Sequence, residues 1–216
     1  MRPEMKSDIQ IRIAESEQDK LIADQIVEQH HSYVASSKTV GRCLKYIIKH
    51  QGKDIGTFWI GSGFKPTPKA ILNYFSMSQS QFDKIFNEVA DNKRFCMREQ
   101  IPNAGTQILS AIRKRSKLDW FEYYNNDLRA IITTIGGNKP GSVYLADNWT
   151  KIGETSGLPE NRDSVSMKWN DANEINDRFV KPDGENKKTI LITSNLPLSR
   201  HHKHLISLGP KQATLI

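Results

Sequence analysis

The stretch RFCMREQIPNAGTQILSAIRKR, residues 94–115, joins a strand pattern to a helix pattern through a turn. The run 93–99 predicts a short strand. Turn residues follow at 102–105, and the apolar positions after them, at helical spacing, are Ile108, Leu109 and Ile112. The stretch therefore predicts a strand, a tight turn and a helix that begins near Gly105 and Thr106. The run 118–124 extends that helix or forms a second helical turn.

Strand and helix patterns continue on both sides of this unit. Upstream are a strand at 8–16 with a helix cap, a helix with the apolar stripe Leu21, Ile22, Ile26 and Val27, hairpin strands at 42–49 and 54–61 around HQGKD, and a helix at 78–92. Downstream are a buried strand at 127–135, a polar loop at 156–173, a short helix at 172–181 and a strand at 187–194. This order predicts an α/β (α+β) fold with one mixed central sheet flanked by helices.

The bulk properties describe an ordinary globular chain. Its 216 residues suffice for one domain with a hydrophobic core. No apolar run approaches the ~20 residues that a membrane span needs, and the N-terminus has no apolar secretory region. The cysteines, Cys43 and Cys96, lie far apart and are interpreted as buried free thiols in a reducing compartment, with a disulfide as the alternative. We therefore expect a cytoplasmic protein without membrane contact.

The positive charge favours an anionic partner. The net charge is +7 and the pI is near 9.3. The basic runs lie after residue 110, at 112–117, 185–188 and 199–204. Such runs suit the phosphates of a nucleic acid, and the alternative is a solvated helix face with a loose basic tail at 196–216.

The predicted helix start near Gly105 is a candidate phosphate site. Free N–H groups and a partial positive charge at a helix N-terminus bind anions. Gly105 permits close backbone approach, and Thr106 and Ser110 add hydroxyl groups. The alternative is an ordinary helix cap formed by Asn103.

Two further segments carry candidate chemistry. EQHHSY, at 28–33, places His30 and His31 at a helix end, either as ligands for iron or zinc or as partners of the helix dipole. The stretch 141–157 follows the buried strand at 127–135. Its Tyr144 and Trp149 either stack on an unpaired base or pack in a structural corner. In the same stretch Asp147 is a proton acceptor or metal ligand, and Asn148 suits an adenine edge.

Three segments in this order, 41–63, 92–112 and 141–157, resemble the phage Mu Mom family of DNA-modification proteins and the related domain of Druantia-type defence proteins. The shared pattern ends in Gly-x-x-Tyr-x-Ala-x-Asn-Trp-x-x-x-Gly. The resemblance covers roughly residues 8–195, and 144–149 is its most specific part. The chain departs from the family at HHSY, where the family has His–Tyr, and at Asp147, where many relatives have Ser or Ala.

The resemblance implies a single GNAT-like catalytic domain at 8–195. It implies modification of adenine in double-stranded DNA at the exocyclic amine, giving an acetamido-type group, as a phage-encoded protection against restriction in the host cytoplasm. Acetyl-CoA or a related acyl-CoA is the implied donor, and iron is the implied metal. GNAT enzymes hold the donor pyrophosphate at a strand–turn–helix similar to the one at 94–115.

The resemblance and the residue patterns together give the candidate site residues. The catalytic candidates are Tyr144, Asp147, His31 and Tyr33. The metal candidates are His30, His31 and Asp147. The cofactor-binding candidates are Arg94, Arg98, Asn103, Gly105, Thr106 and Ser110. The DNA-binding candidates are Arg42, Arg113, Lys114, Arg115, Lys117, Asn148 and Trp149. Two alternatives remain: a non-catalytic nucleic-acid-binding module of defence or counter-defence, and a GNAT acetyltransferase that acts on a small-molecule or protein amine.

Overall fold

A computed structural model describes residues 8–31, 37–63, 65–136, 139–155, 187–194 and 196. The strands are β1 (Ile9–Ile13), β2 (Cys43–His50), β3 (Lys53–Ser62), β4 (Val89–Met97), β5 (Ala130–Ile135), β6 (Thr150–Glu154) and β7 (Thr189–Thr193). The helices are α1 (Glu17–His30), α2 (Lys69–Tyr74), α3 (Gln79–Lys84), α4 (Ala104–Tyr124) and α5 (Ser142–Ala146), with a 3₁₀ turn at Phe86–Glu88.

The seven strands form one mixed sheet in the order β1-β2-β3-β4-β5-β7-β6. β4 and β5 are parallel, and the other pairings among the described strands are antiparallel. The chain connects β4 to β5 through α4, because two consecutive parallel strands need a crossover connection between them. The mixed central sheet predicted from the sequence is thus present.

Helices cover both faces of the sheet. On one face, α4 buries Ile108, Leu109 and Ile112 against residues of β2, β3 and β5. On the other face, α1 packs Ile26 and Val27 against Ile47, Trp59 and Cys96. The short helices α2 and α3 cover the same second face farther along, over β4, β5 and β7. Side chains of a strand alternate between the two cores, so each strand end presents groups to both sides.

Several local predictions are confirmed. Ser16 caps α1 through its side chain, which accepts from the backbone of Asp19. Gln51 and Gly52 both have positive φ, as the tight turn between β2 and β3 requires. The run 118–124 continues α4. Cys43 and Cys96 are free thiols.

Other boundaries differ from the predictions. The helix predicted at 78–92 ends at Lys84, and Val89 already lies in β4. Val89 packs with Phe82 in the same core, so its helical spacing reflects burial beside the helix rather than within it. In the predicted apolar stripe of α1, Leu21 is 49% exposed, and Ala23 is buried in its place. Residues 141–155 contain α5 and β6.

Some predictions lie outside the described residues: the loop at 156–173, the helix at 172–181 and nearly all of the tail. Leu196 is described and packs in the α4-side core, so buried contacts continue one residue past the predicted boundary at 195. Within the described ranges, no helix combines the length and apolar character needed to cross a membrane.

Candidate functional site

A cleft opens where β4 and β5 separate. Their parallel pairing covers only Val89 to Asp91 on β4, yet β4 continues to Met97. Lys93 forms a bulge on the other edge of β4, because Trp59 of β3 pairs with Arg94 and Ile60 pairs with Asn92. The cleft has a volume of about 670 Å³, which is in the range of small-molecule sites.

The wall of the cleft on the α4 side centres on Tyr144, a residue of α5. Its hydroxyl oxygen accepts a hydrogen bond of 2.7 Å from the Asn92 amide, which also donates to Thr133. The ring makes edge contacts with Phe95 and with Trp149, the latter at 5.1 Å between centroids. Tyr144 is 9% exposed and lines the cleft. The structure therefore fixes its hydroxyl at the point where the strands diverge.

The opposite wall, on the α1 side, is polar and charged. It contains His31, Asp91, Arg94 and Lys188. Burial lowers the pKa of His31 to about 4, and the positive charges of Arg94 and Lys139 act in the same direction. His31 is therefore neutral at neutral pH. His30, at the end of α1, is exposed and also borders the cleft.

The start of α4 has the form of an anion site. Asn103 precedes the helix in the left-handed conformation, with φ 61°, and its side chain makes no capping hydrogen bond. The first N–H groups of a helix have no intrahelical acceptor. The Thr106 hydroxyl donates to the Asn103 carbonyl at 3.1 Å, and Arg98 follows β4 in an exposed position. Ser110 lies one turn farther along α4, half-buried.

Gly105 serves the packing of α5 on α4. A Cβ atom at Gly105 would lie 2.4 Å from Cγ2 of Val143, the residue before Tyr144. The predicted use of Gly105 was close approach of a ligand, whereas its observed neighbour is Val143. The absence of a side chain at Gly105 therefore sets how closely the helix that carries Tyr144 approaches α4.

We expect Gly105→Ala to destabilise the fold by about 1–3 kcal/mol, because the added methyl group overpacks against Val143. Urea unfolding measures this change. In a Val143→Ala background the clash is absent, and alanine favours helix by up to ~1 kcal/mol. There the same substitution should be neutral or stabilising. Equal destabilisation in both backgrounds would contradict the packing role.

Asp147 is occupied by an internal ion pair. Its two carboxylate oxygens accept from Nε and Nη2 of Arg113, each at 2.7 Å, and one also accepts from the indole of Trp149 at 3.0 Å. The side chains of Asp147 and Arg113 are 4% and 11% exposed. This geometry does not support the predicted catalytic and metal-binding roles of Asp147 or DNA binding by Arg113.

Trp149 is a packing residue. It is 3% exposed, and both its ring and its indole N–H have partners inside the protein. Base stacking requires an open aromatic face, so this geometry does not support the predicted stacking of Trp149 on a base. Of the two interpretations of 141–157, the structural corner describes Trp149, while Tyr144 faces the cleft. Asn148 is exposed, with φ 62° in the turn between α5 and β6.

The basic run of α4 is mostly paired with carboxylates. Arg115 bonds to Asp119 and Lys117 to Asp127, in addition to the Arg113 pair. Lys114 is exposed. Arg42, far away in the chain, donates to Asn126 and lies over the Tyr124 ring at 5.0 Å. These contacts weaken the inference of a continuous phosphate-binding stripe, although DNA binding by the exposed members remains a prediction.

The predicted iron ligands do not assemble in the described structure. Among the described residues, no group of three or more His, Cys, Asp and Glu side chains is placed to hold a metal. His30 and His31 border the cleft, but Asp147 is bound to Arg113. Tyr33 lies outside the described residues. The described members of this donor set therefore do not form an iron site.

Sequence reasoning missed the polar centre of β4. Asp91, Asn92 and Lys93 all border the cleft, but the first two fell in the helix predicted at 78–92 and the third began the strand predicted at 93–99. Lys139 was missed as well, and Lys188 was noted only as part of the basic run 185–188. The available signal was a run of four polar residues, 91–94, between the apolar ends of a strand. Polar side chains at such core positions are typical of a functional site.

Comparisons with known proteins bear on the fold. No protein-family model matches the chain, and no curated protein matches it. Among solved structures, FeeM, an N-acyl amino acid synthase from uncultured soil microbes, is similar at a TM-score of 0.50 and 10% identity over 89% of this chain and 93% of that chain.

Two further similar structures are acetyltransferases. An N-acetyltransferase from Staphylococcus aureus Mu50 matches at a TM-score of 0.48 and 10% identity over 88% of this chain and 99% of that chain. A GNAT family acetyltransferase from Elizabethkingia anophelis, solved with acetyl-CoA bound, matches at a TM-score of 0.44 and 16% identity over 88% of this chain and 99% of that chain. At such identities the likeness concerns the fold alone, and the predicted α/β fold with one mixed sheet flanked by helices is confirmed.

Proposed function

We propose that this protein transfers an acyl group from an acyl-CoA thioester to an amine. The observation that carries the proposal is the cleft between β4 and β5, with the Tyr144 hydroxyl in its wall and the start of α4 beside it. A thioester placed there would have a proton donor near its sulfur and an anion site for its phosphates.

The diverging edge of β4 suits the amide-containing arm of acyl-CoA. Beyond Asp91, β4 has no hydrogen-bonding partner on its β5 side within the described residues. Backbone N–H and C=O groups there can bond to an extended chain as a neighbouring strand would. At the outer end, the α4 start with Asn103, Thr106 and Arg98 is suited to the phosphates.

Tyr144 is the residue best placed to protonate the leaving thiolate. Its oxygen accepts from Asn92 and lies in the cleft wall, where it would face the sulfur of a bound thioester. The same hydrogen bond stabilises the phenolate that remains after proton transfer. A thiol of pKa ~8.5 and a phenol of pKa ~10 are close enough for efficient transfer. Asn92 is thus a positioning residue for Tyr144.

Binding and turnover of acetyl-CoA test the proposal directly. The purified protein is expected to bind acetyl-CoA in calorimetry and to release free thiol only when an amine is present. Circular dichroism of the same sample establishes that the protein is folded. A folded protein that binds neither acetyl-CoA nor CoA would overturn the proposal.

A narrower candidate has DNA as the acceptor, with transfer to the exocyclic amine of adenine. The resemblance at 144–149 to the Mom-type family and the cations at the cleft support it. The target base would leave the helical stack to enter the cleft. Nucleoside mass analysis of DNA from cells that express the protein tests this candidate. Unmodified adenine beside active acyl transfer to other amines would reject it, and a non-catalytic nucleic-acid-binding role predicts DNA binding without any thiol release.

A further inference from the structure

The α1-side wall of the cleft contains one buried carboxylate that is only partly satisfied. The side chain of Asp91 is 8% exposed, and its Oδ2 lies 3.2 Å from Nζ of Lys93. Its Oδ1 is buried and has no hydrogen-bond partner within the described structure. A buried carboxylate oxygen requires a donor, so Oδ1 indicates a position for a group that the protein does not itself supply.

Cations surround this carboxylate. Burial raises the pKa of Asp91, and the positive charges of Lys93, Arg94 and Lys188 oppose that effect. Arg94 and Lys139 act in the same way on His31 in the same wall. Among the described residues that line the cleft, four are Lys or Arg and only Asp91 is acidic. The described lining of the cleft therefore carries several positive side chains and a single carboxylate, Asp91.

The two walls belong to opposite faces of the sheet. Asn92 points to the α4 side, where it bonds to Tyr144, and Asp91 points to the other side, as neighbouring residues of a strand do. The proposed function places the acyl donor along Tyr144 and the start of α4. The amine then reaches the thioester from the α1 side, where Asp91 and the cations lie.

We propose that the acceptor is a small amine that carries an acidic group, with its ammonium at Asp91 and its carboxylate or phosphate at Arg94, Lys139 and Lys188. This inference rests on the proposed acyl transfer. An aliphatic ammonium supplies the hydrogen-bond donor that Oδ1 lacks together with a positive charge, whereas the amine of a nucleobase is uncharged. The acidic group is opposite in charge to these three side chains, which all line the cleft.

The transfer balances as follows. The ammonium loses one proton through Asp91 to solvent, its nitrogen forms the C–N bond to the acyl carbon, and the C–S bond breaks. Tyr144 gives a proton to the thiolate, and the second proton that leaves the nitrogen returns to the Tyr144 phenolate, so that one proton in total is released to solvent. The products are an amide and a free thiol.

Matched acceptors test the inference by thiol release from acetyl-CoA. The pairs are β-alanine with propylamine and phosphoethanolamine with ethanolamine, and they also separate carboxylate from phosphate as the preferred acid. We expect kcat/KM to be at least about tenfold higher for the acidic member of one pair, equivalent to one favourable charge contact. Lys188→Gln and Lys139→Gln should each bring the ratio of kcat/KM for the acidic amine to kcat/KM for its matched amine toward one. Lys151→Gln, at an exposed position of β6, should not change this ratio.

The outcomes separate this inference from the proposed function. Equal turnover within both pairs would overturn the acidic acceptor and leave acyl transfer intact. Acylation of an adenine oligonucleotide without turnover of either acidic amine would overturn it in favour of DNA. If no acidic amine releases thiol the inference fails, and if the folded protein also binds no acetyl-CoA, the proposed function fails with it.

Discussion

Replacement of Tyr144 by phenylalanine is expected to lower kcat for thiol release by about 10²–10⁴-fold, the usual contribution of a positioned general acid. The substitution removes only the hydroxyl, which is the group that faces the diverging strands and accepts from Asn92. The ring contacts with Phe95 and Trp149 remain. The binding of acetyl-CoA should therefore change little, and the loss should appear in kcat rather than in KM.

A matched hydroxyl deletion provides the control for Tyr144→Phe. Tyr123 is 45% exposed on α4, and its hydroxyl bonds to Glu15 at 3.2 Å, away from the cleft. Tyr123→Phe should keep full turnover and nearly full stability. If Tyr144→Phe retained kcat within a factor of about two, the assignment of Tyr144 as the proton donor would be wrong, because general-acid contributions are far larger than that.

Asn92 offers an independent check on the same assignment. If it orients Tyr144, Asn92→Leu should shift the pH dependence of kcat to higher pH, because the phenolate loses its hydrogen-bond donor and the pKa of the phenol rises. A purely structural role would lower the melting temperature without moving the pH profile.

Local signals predicted much of the fold. The Ser16 cap, the turn at Gln51 and Gly52, and the strand–turn–helix of β4 and α4 each depend on residues that are neighbours in the chain. Periodicity and turn chemistry detect such features. The same signals failed at Val89, where the apolar spacing of a helix continued across its end because Phe82 and Val89 share one core.

The functional cleft depended on information that no local pattern contains. Whether Asp91 is a helix residue or lines a cleft is decided by where β4 stops pairing with β5. Likewise, Asp147 was open to a catalytic interpretation until its partner Arg113, 34 residues away, was known. Tyr144 was among the candidates, because an aromatic residue that follows a buried strand and a glycine-rich turn suits either base stacking or packing in a structural corner. Its role as the proposed proton donor follows only from its contact with Asn92.

The buried ion pair gives the second large expected effect. Asp147→Ala should reduce the free energy of unfolding by about 3–5 kcal/mol, because it breaks a buried ion pair in which Asp147 accepts two hydrogen bonds from Arg113. That loss is a large share of the ~5–15 kcal/mol that stabilises a typical domain. Urea unfolding measures it. Glu154→Ala breaks the exposed pair with Lys151 and should cost at most about 1 kcal/mol.

A double variant of Arg113 and Asp147 tests whether the role of Asp147 is structural or catalytic. Arg113→Met with Asp147→Leu removes both charges, so it should be more stable than Asp147→Ala alone. If Asp147 only supports α5 and Trp149, the folded fraction of the double variant should retain thiol release, since Tyr144 and the cleft are unchanged. A fully folded double variant that has lost turnover to the extent of Tyr144→Phe would instead restore a catalytic role to Asp147. Tyr144→Phe and the double variant both alter α5 or its end, so their kcat values are compared per folded molecule. A loss of kcat in Tyr144→Phe alone would assign the chemistry to Tyr144 and leave Asp147 a role in stability.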